Sequence, residues 1–479
     1  MKKALAIATF ICSLVAVCRA QDRVLTYPAP DGAVLNDHFT VSVRIPGKDW
    51  QDVACYAVNV DEVRDAKHNT EVSTMAYFDF EGKVEVRVRL NDGSLESARV
   101  RPLSRGIEPA LDGEFLTFSL VKPENLSIEV NGDIFHNLQL FANPVCEDIP
   151  DAHRIKKDKN LIYFGPGYHS LERGRMLIES GKTVFVAGGA FVDGTLRVKD
   201  ATDVRIYGSG IVRPTRNNAP GVEISRSRNV SVEGIIVTQL PVGGSDGVSI
   251  RNVKSITHYG WGDGMNVFAS NNVSYDGVFC RNSDDCTTVY ATRKGYTGSC
   301  SNIRMSNSTL WADVAHPIMI GIHGNSENPD TIQGLVYSNI DILDHKEKQI
   351  DYQGCMTING GDNNIIRDVV FEDIRVEDFR EGQLLNIRIF FNPKYCSAPG
   401  QCIENVLFRN VSYNGSGENI SIISGYDGSR MVKGVRFEHL TINGKLIHDD
   451  MPDKPKWYKT GDMAGIYIGE HVSDVTFVE

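Results

Sequence analysis

The sequence predicts an all-β protein, an N-terminal β-sandwich followed by a right-handed parallel β-helix, on three observations. Apolar and polar residues alternate with period two in short runs from about Val24 to Val130. Beyond them a short unit recurs, an Asn, Gly or Asp followed by apolar-x-apolar, two further residues, and apolar-x-apolar again. Glycine is abundant, at 44 of 479 residues, which suits a chain of many turns. A chain of this length exceeds one ordinary core, so it divides into domains unless a repetitive architecture extends one of them.

Residues 1–20 have the composition of a signal peptide. Lys2 and Lys3 precede an apolar stretch from Ala4 to Val17 that is too short to span a bilayer, and Cys18-Arg19-Ala20 follows with small residues where a signal peptidase reads. Val17 stands where lipidation at Cys18 would need Gly, Ala or Ser. A mature chain from Gln21, secreted or periplasmic, is expected. No later segment is apolar enough to span a membrane.

Residues 21–145 are expected to form the sandwich. Its strands are Phe39 to Ile45, Thr74 to Phe80, Val84 to Leu90, Phe115 to Leu120 and Leu126 to Val130. Turns at Glu81-Gly82, Asn91-Asp92-Gly93 and Asn131-Gly132 predict antiparallel hairpins. Ala142 to Pro150 reads as a boundary, because its two prolines do not suit central strands.

Residues 146–479 are expected to form the β-helix. The first apolar positions of its unit, Val230, Val248, Val273, Ile303, Leu335, Val369, Val406 and Val435, fall 18 to 37 residues apart. A unit of that size built from short strands is a solenoid, and one without a helix is a parallel β-helix. Unequal spacing means loops of different length along one edge, which would wall a cleft. A capped solenoid of this kind is expected to be a monomer.

The register of the repeat locates the chemistry. Asp263-Gly-Met-Asn-Val-Phe268, Asp285-Cys-Thr-Thr-Val-Tyr290 and His316-Pro-Ile-Met-Ile-Gly321 align when Val267, Val289 and Ile320 form one inward column. Asp263, Asp285 and His316 then form a second column, one per coil and about 4.8 Å apart. Asp284 adjoins Asp285 at a strand corner. Like charges so placed push one pKa up, leaving one carboxyl protonated and another ionised. Glycoside hydrolysis needs that split, an acid for the leaving oxygen and a base for the water. Asp residues in a solenoid also cap turns and fill polar ladders; three in register with a histidine favour the catalytic reading. His316 would tune the cluster or bind substrate. Tyr259, Trp261, Tyr290, Tyr296 and Trp311 suit sugar faces. His323, His345 and His439 read as structural or solvent-exposed.

Other features bound the partners. A net charge of −11 without clustered Lys or Arg argues against nucleic acid. Eight cysteines follow the signal segment, and sequence does not choose among their 105 connectivities. Cys396 and Cys402, bracketing a Ser-Ala-Pro-Gly loop, form the best single pair, whereas Cys280 and Cys286 suit buried hydrophobic positions. With no CxxC and no recurring His, no zinc, other metal or cofactor is expected. Seven Asn-x-Ser/Thr sequons, Asn125, Asn307 and Asn414 among them, are equally explained by asparagine ladders.

At Gly262-Asp263-Gly264, Asn282-Ser283-Asp284-Asp285-Cys286 and His316 to Gly321 the chain resembles the clan of inverting β-helix hydrolases that holds polygalacturonases and the dextranase/isopullulanase family. The resemblance covers about Leu161 to Gly444, and the 21 residues from Asp263 to Asp284 fit its spacing. It implies Asp284 as general acid, Asp263 and Asp285 as the pair that holds and activates water, and His316 in support. One departure bears on substrate. Where polygalacturonases carry an Arg-Ile-Lys clamp, this chain reads Gly354-Cys-Met-Thr-Ile-Asn359, and Arg388 further on is a weak substitute. An unpaired uronate would be costly to bury. The sandwich, Tyr163 to Gly167 and Val184 to Ala190 look closer to the dextranase/isopullulanase family. The expectation is therefore a hydrolase of a neutral α-linked polysaccharide. The alternatives are a polygalacturonase, a pectate-lyase-like eliminase and a glycan-binding β-helix without catalysis.

Overall fold

The computed structural model describes residues 22–65, 67–215, 219–416 and 418–479, so the expected signal peptide lies outside the described residues. From Arg23 to Pro144 the chain builds two sheets. One orders the strands Gln51–Val53, Phe39–Arg44, Val84–Leu90, Phe115–Leu120 and Ala110–Asp112. The other orders Arg23–Leu25, Lys67–Glu81, Asp133–Pro144, Glu124–Val130 and Ala98–Arg101, with Cys55–Arg64 also on Lys67–Glu81.

The second sheet is buried on both faces, and strand alternation sorts its residues. Ala76, Phe78 and Phe80 join Val41, Val86 and Leu140 inside the sandwich. Met75 and Tyr77 face the other way, with Tyr56, Val58 and Phe141, onto Ile211, Ile236, Ile256 and Phe279 of the solenoid.

The sandwich departs from the sequence expectation in two respects. Asp133–Pro144 pairs with Lys67–Glu81 in parallel, from Leu138↔Thr74 to Pro144↔Phe80. The Asn131-Gly132 turn sends this strand back antiparallel to Glu124–Val130, which leaves its far edge running alongside Lys67–Glu81. Pro144 thus closes a central strand, acceptable because it is the last paired position and no further ladder bond needs its missing N–H.

A solenoid follows from Leu161–Phe164 to Val472–Val478, its successive coils paired in parallel. The predicted column holds throughout: Val230↔Val248, Val248↔Val273, Val273↔Ile303, Ile303↔Leu335, Leu335↔Val369, Val369↔Val406 and Val406↔Val435. The Asn/Gly/Asp that opens each unit has a backbone cause. Asp203, Asn229, Gly247, Asn272, Asn302, Gly334, Asp368, Asn405, Gly434 and Asp474 all adopt φ between 51° and 69°, the left-handed corner those residue types tolerate.

Their side chains bond between coils, Asn272 Nδ2 to Asp246 Oδ1 and Asn302 Nδ2 to Asn272 Oδ1, each at 2.6 Å. Sequon residues Asn229, Asn272, Asn307 and Asn410 are all engaged in such bonds. Inside, Tyr337, Phe371, Phe408, Phe437 and Phe477 stack with centroids 4.6–5.4 Å apart.

The eight described cysteines are free thiols, so the expected Cys396–Cys402 bridge is not formed. Cys396 turns inward into a cluster with Tyr352 and Phe390, whereas Cys402 opens a strand in register with Ile365. Among the described residues no helix is long and apolar enough to cross a membrane.

Polar seams lock the sandwich to the solenoid. The fully buried Arg281 bonds Asp313 at 3.1 Å, Asn137 Oδ1 at 2.7 Å and the Ile134 carbonyl at 2.8 Å. Arg101 joins Glu129 at 2.8 Å and Glu377 at 2.7 Å. Both guanidiniums lie over the ring of buried Trp311, at 4.2 and 5.0 Å. Trp311 is therefore a seam residue, not one of the sugar platforms the sequence suggested.

Candidate active site

Coil register brings the acidic residues together. Met265↔Thr287 and Thr287↔Ile318 place Asp263, Asp285 and His316 in one column. The rungs close through Gly264 N to Asp285 O and Cys286 N to His316 O, at 2.9 and 2.8 Å. The glycines flanking Asp263 are required by crowding. A Cβ on Gly262 would lie 2.0 Å from Ser283 Oγ, and one on Gly264 would lie 2.4 Å from the Cys286 carbonyl oxygen.

Asp263, Asp284 and Asp285 form the floor of a cleft of about 480 Å³. Asp263 and Asp284 are partly accessible and Asp285 is buried. Burial, reinforced by the charges of Asp263 and Asp285, holds the Asp284 carboxyl well above the usual carboxylate range. Burial and the Asp285 charge also raise Asp263, to about 6, against a hydrogen bond from Asn266 Nδ2.

Asp285 accepts from Tyr290 OH at 2.9 Å, from His316 N at 3.2 Å and from His316 Nδ1 at 2.7 Å. The other ring nitrogen of His316 lies 2.6 Å from the Tyr352 carbonyl oxygen. Burial alone would lower the His316 pKa, but the charge and hydrogen bond of Asp285 outweigh it and the pKa is raised. A carboxylate oxygen and a carbonyl oxygen thus face the two nitrogens, an arrangement that favours the protonated ring. Fully buried, it positions Asp285 and does not reach the cleft.

The two sides of the cleft differ. On one side Trp261, 82% exposed and at φ 63°, stands beside His68 from the sandwich strand Lys67–Glu81. His68 Nδ1 bonds Asp61, and its ring meets Tyr259 edge-on at 5.5 Å. Arg293, Lys294, His323, Lys394 and Tyr395, all from loops between coils, also line the cleft. Among the described residues none of the three cations forms an ion pair. Arg293 bonds His323 Nδ1 at 3.1 Å, Lys294 lies 5.5 Å from the Phe268 ring centroid, and Lys394 bonds Gln349 Oε1 at 3.1 Å. Ile322, a β-branched residue at φ 60°, turns the chain just before His323.

The structure thus gathers Asp263, Asp284, Asp285, Trp261 and Tyr290 at the cleft, with His316 beneath. It does not bring Arg388 there: that side chain bonds the Asp351 carbonyl at 3.1 Å and lies over Phe390. Tyr296 stacks on Phe268 and bonds Ser225 at 3.0 Å. His345 is buried and structural, as expected. His323 differs from its reading as structural or exposed: it is buried, lines the cleft, and is lowered to about 3 by burial and then Arg293. Sequence reasoning missed His68, Arg293, Lys294, Lys394 and Tyr395, which sit at no fixed offset in the repeat. The segment Gly321-Ile-His323-Gly324, directly after a mapped strand, is the signal that could have revealed His323.

The fold, a parallel β-helix in a nearly all-β chain, is the one found in its structural neighbours. No protein-family model and no curated protein matches the chain. Among solved structures it is similar to Dex49A from Penicillium minioluteum, with a TM-score of 0.58, 12% identity, and 95% of this chain and 96% of that one covered. A family 28 exopolygalacturonase from Yersinia enterocolitica aligns with a TM-score of 0.45 and 12% identity over 83% of this chain and 96% of that one. At these identities the likeness is one of fold.

Proposed function

We propose that the protein is an inverting glycoside hydrolase of an α-linked polysaccharide, of dextranase/isopullulanase type. The observation that carries this reading is the convergence of three carboxyls on the floor of an open cleft, Asp284 and Asp285 from one coil and Asp263 from the coil before it.

In this reading Asp284 keeps its proton at neutral pH and gives it to the glycosidic oxygen as the bond breaks. Asp263 and Asp285 hold a water and take its proton as it attacks the opposite face of the sugar. His316 and Tyr290 fix the orientation of Asp285. Trp261 offers a ring surface to the sugar, as aromatic side chains with large exposed faces do.

The cleft cations favour a second reading of the substrate. A neutral glycan was expected because the Arg-Ile-Lys clamp is missing, yet Arg293, Lys294 and Lys394 bring three unpaired positive charges to the cleft from other loops. Such a wall suits an acidic polymer such as polygalacturonate.

A reducing-sugar screen over dextran, pullulan and polygalacturonate identifies the polymer. On that polymer Asp284→Asn is expected to lose about 1,000-fold or more in kcat with its circular dichroism unchanged. Full activity in the variant would remove Asp284 as the acid. Proton NMR of the first product should show the anomer opposite to that of the substrate. A retained anomer would remove the inverting mechanism.

A further inference from the structure

The sandwich and the solenoid flank a second open cavity, of about 290 Å³, lined by Tyr56 and Asn59 from the sandwich and by Phe191, Arg213, Thr238 and His258 from the solenoid. It continues the line of the catalytic cleft. Val212↔Val237, Val237↔Ser255 and Ser255↔Cys280 put Arg213 in the column that passes Thr238 and Ile256 to Arg281, on the coil that carries Asp284. Three rungs separate the two, about 14 Å. His258 lines this cavity, and Gly260 and Trp261, two and three residues on, line the cleft.

Arg213 is the anomaly of this part of the molecule. The inner arginines Arg281 and Arg101 each hold a carboxylate, Asp313 and Glu377 respectively. Among the described residues the Arg213 guanidinium has neither an ion pair nor a hydrogen bond, and burial pushes it down to about 10 with no acid to offset the cost. Half-buried at the cavity wall and without a paired acid, this cation is open to a ligand that brings one. Asp193, beside it in register on the adjacent coil, holds its carboxylate on Thr215 N and Oγ1 and on Tyr168 OH instead, and makes no ion pair with Arg213. Thr238 Oγ1 donates to the Ala219 carbonyl at 2.6 Å, and Asn59 Nδ2 lies 3.4 Å from His258 Nε2. A planar fork of donors beside the aromatic residues Tyr56 and Phe191 matches a sugar ring that bears a carboxylate.

We propose that this interdomain cavity is a distal subsite that takes a carboxylate-bearing sugar unit of the chain held over Asp263, Asp284 and Asp285, with Arg213 as its anion clamp. The proposal rests on the glycosidase reading for its substrate and adds to it an acidic unit remote from the scissile bond.

Binding without turnover tests it. In the Asp284→Asn variant, galacturonate and glucuronate are titrated by ligand-observed NMR, with galactose and glucose as neutral controls and sodium sulfate as a competitor. The uronates should bind at least tenfold tighter than the neutral sugars. Adding Arg213→Gln should abolish that preference and Arg213→Lys should restore part of it. Because Arg213→Gln removes an unpaired charge, its thermal midpoint should not fall.

An Arg213→Gln variant that keeps the uronate preference would overturn the subsite. So would sulfate displacing the uronates at equal affinity, which would assign the pocket to free inorganic anions. Failure of the glycosidase reading shows itself separately, as polymer left uncleaved by the unsubstituted enzyme while Arg213-dependent uronate binding persists.

Discussion

Asp263 illustrates what a carboxyl held at the floor of a cleft costs the fold. Between 3.8, its ordinary value, and about 6 the folded chain holds a proton that the unfolded chain has released. Stability therefore falls as pH rises through that window and stays lower above it. Asp263→Asn should stabilise the chain against denaturation at pH 7 but not at pH 4, by at most about 3 kcal/mol. The same titration shapes the rate. The kcat/KM profile should climb through about pH 6 as Asp263 ionises and decline at higher pH as Asp284 loses its proton. Asp263→Asn should lose the acid limb along with about 100-fold or more of activity. These residues were legible in the sequence because the repeat fixes which positions stack. The charges of Arg293, Lys294 and Lys394 were not, since loops between coils obey no period.

At the scale of the strand and its corner, the left-handed column sets the rules. Asn272 has φ 54° and both accepts from Asn302 and donates to Asp246, so Asn272→Ala loses two inter-coil bonds and strains a Cβ-bearing corner. A loss of about 1–2 kcal/mol in urea denaturation is expected. Gly334 occupies the same column with φ 67°, and a Cβ there would meet nothing nearer than Asn302 N at 3.7 Å. Gly334→Asn should therefore cost less than about 0.5 kcal/mol, and a loss as large as that of Asn272→Ala would contradict the ladder account.

This corner geometry is also why the solenoid could be read from one sequence. Each coil repeats the same backbone demand, so Val230 through Val435 align without reference to any contact. In the sandwich, hairpin turns identified Val84–Leu90 and Phe115–Leu120. The parallel pairing of Asp133–Pro144 escaped because the choice of neighbour depends on the path of the whole chain.

Across the whole molecule, the buried seam at Trp311 predicts that the two parts unfold as one unit. Arg281→Leu leaves Asp313 buried with Arg380, at 3.7 Å, as its one remaining cation among the described residues. A loss of about 3 kcal/mol or more is expected, with Arg281→Leu/Asp313→Leu recovering part of it. Calorimetry should show a single transition for the native chain. Separate melting of residues 22–145 would contradict the seam. His68 adds a different consequence. A hairpin belonging to the sandwich stands at the mouth of a cleft whose reacting groups all belong to the solenoid. Selectivity can therefore drift by rewriting that hairpin while the coils stay untouched, so an accessory layer acts as the exchangeable jaw of a tool whose blade is fixed.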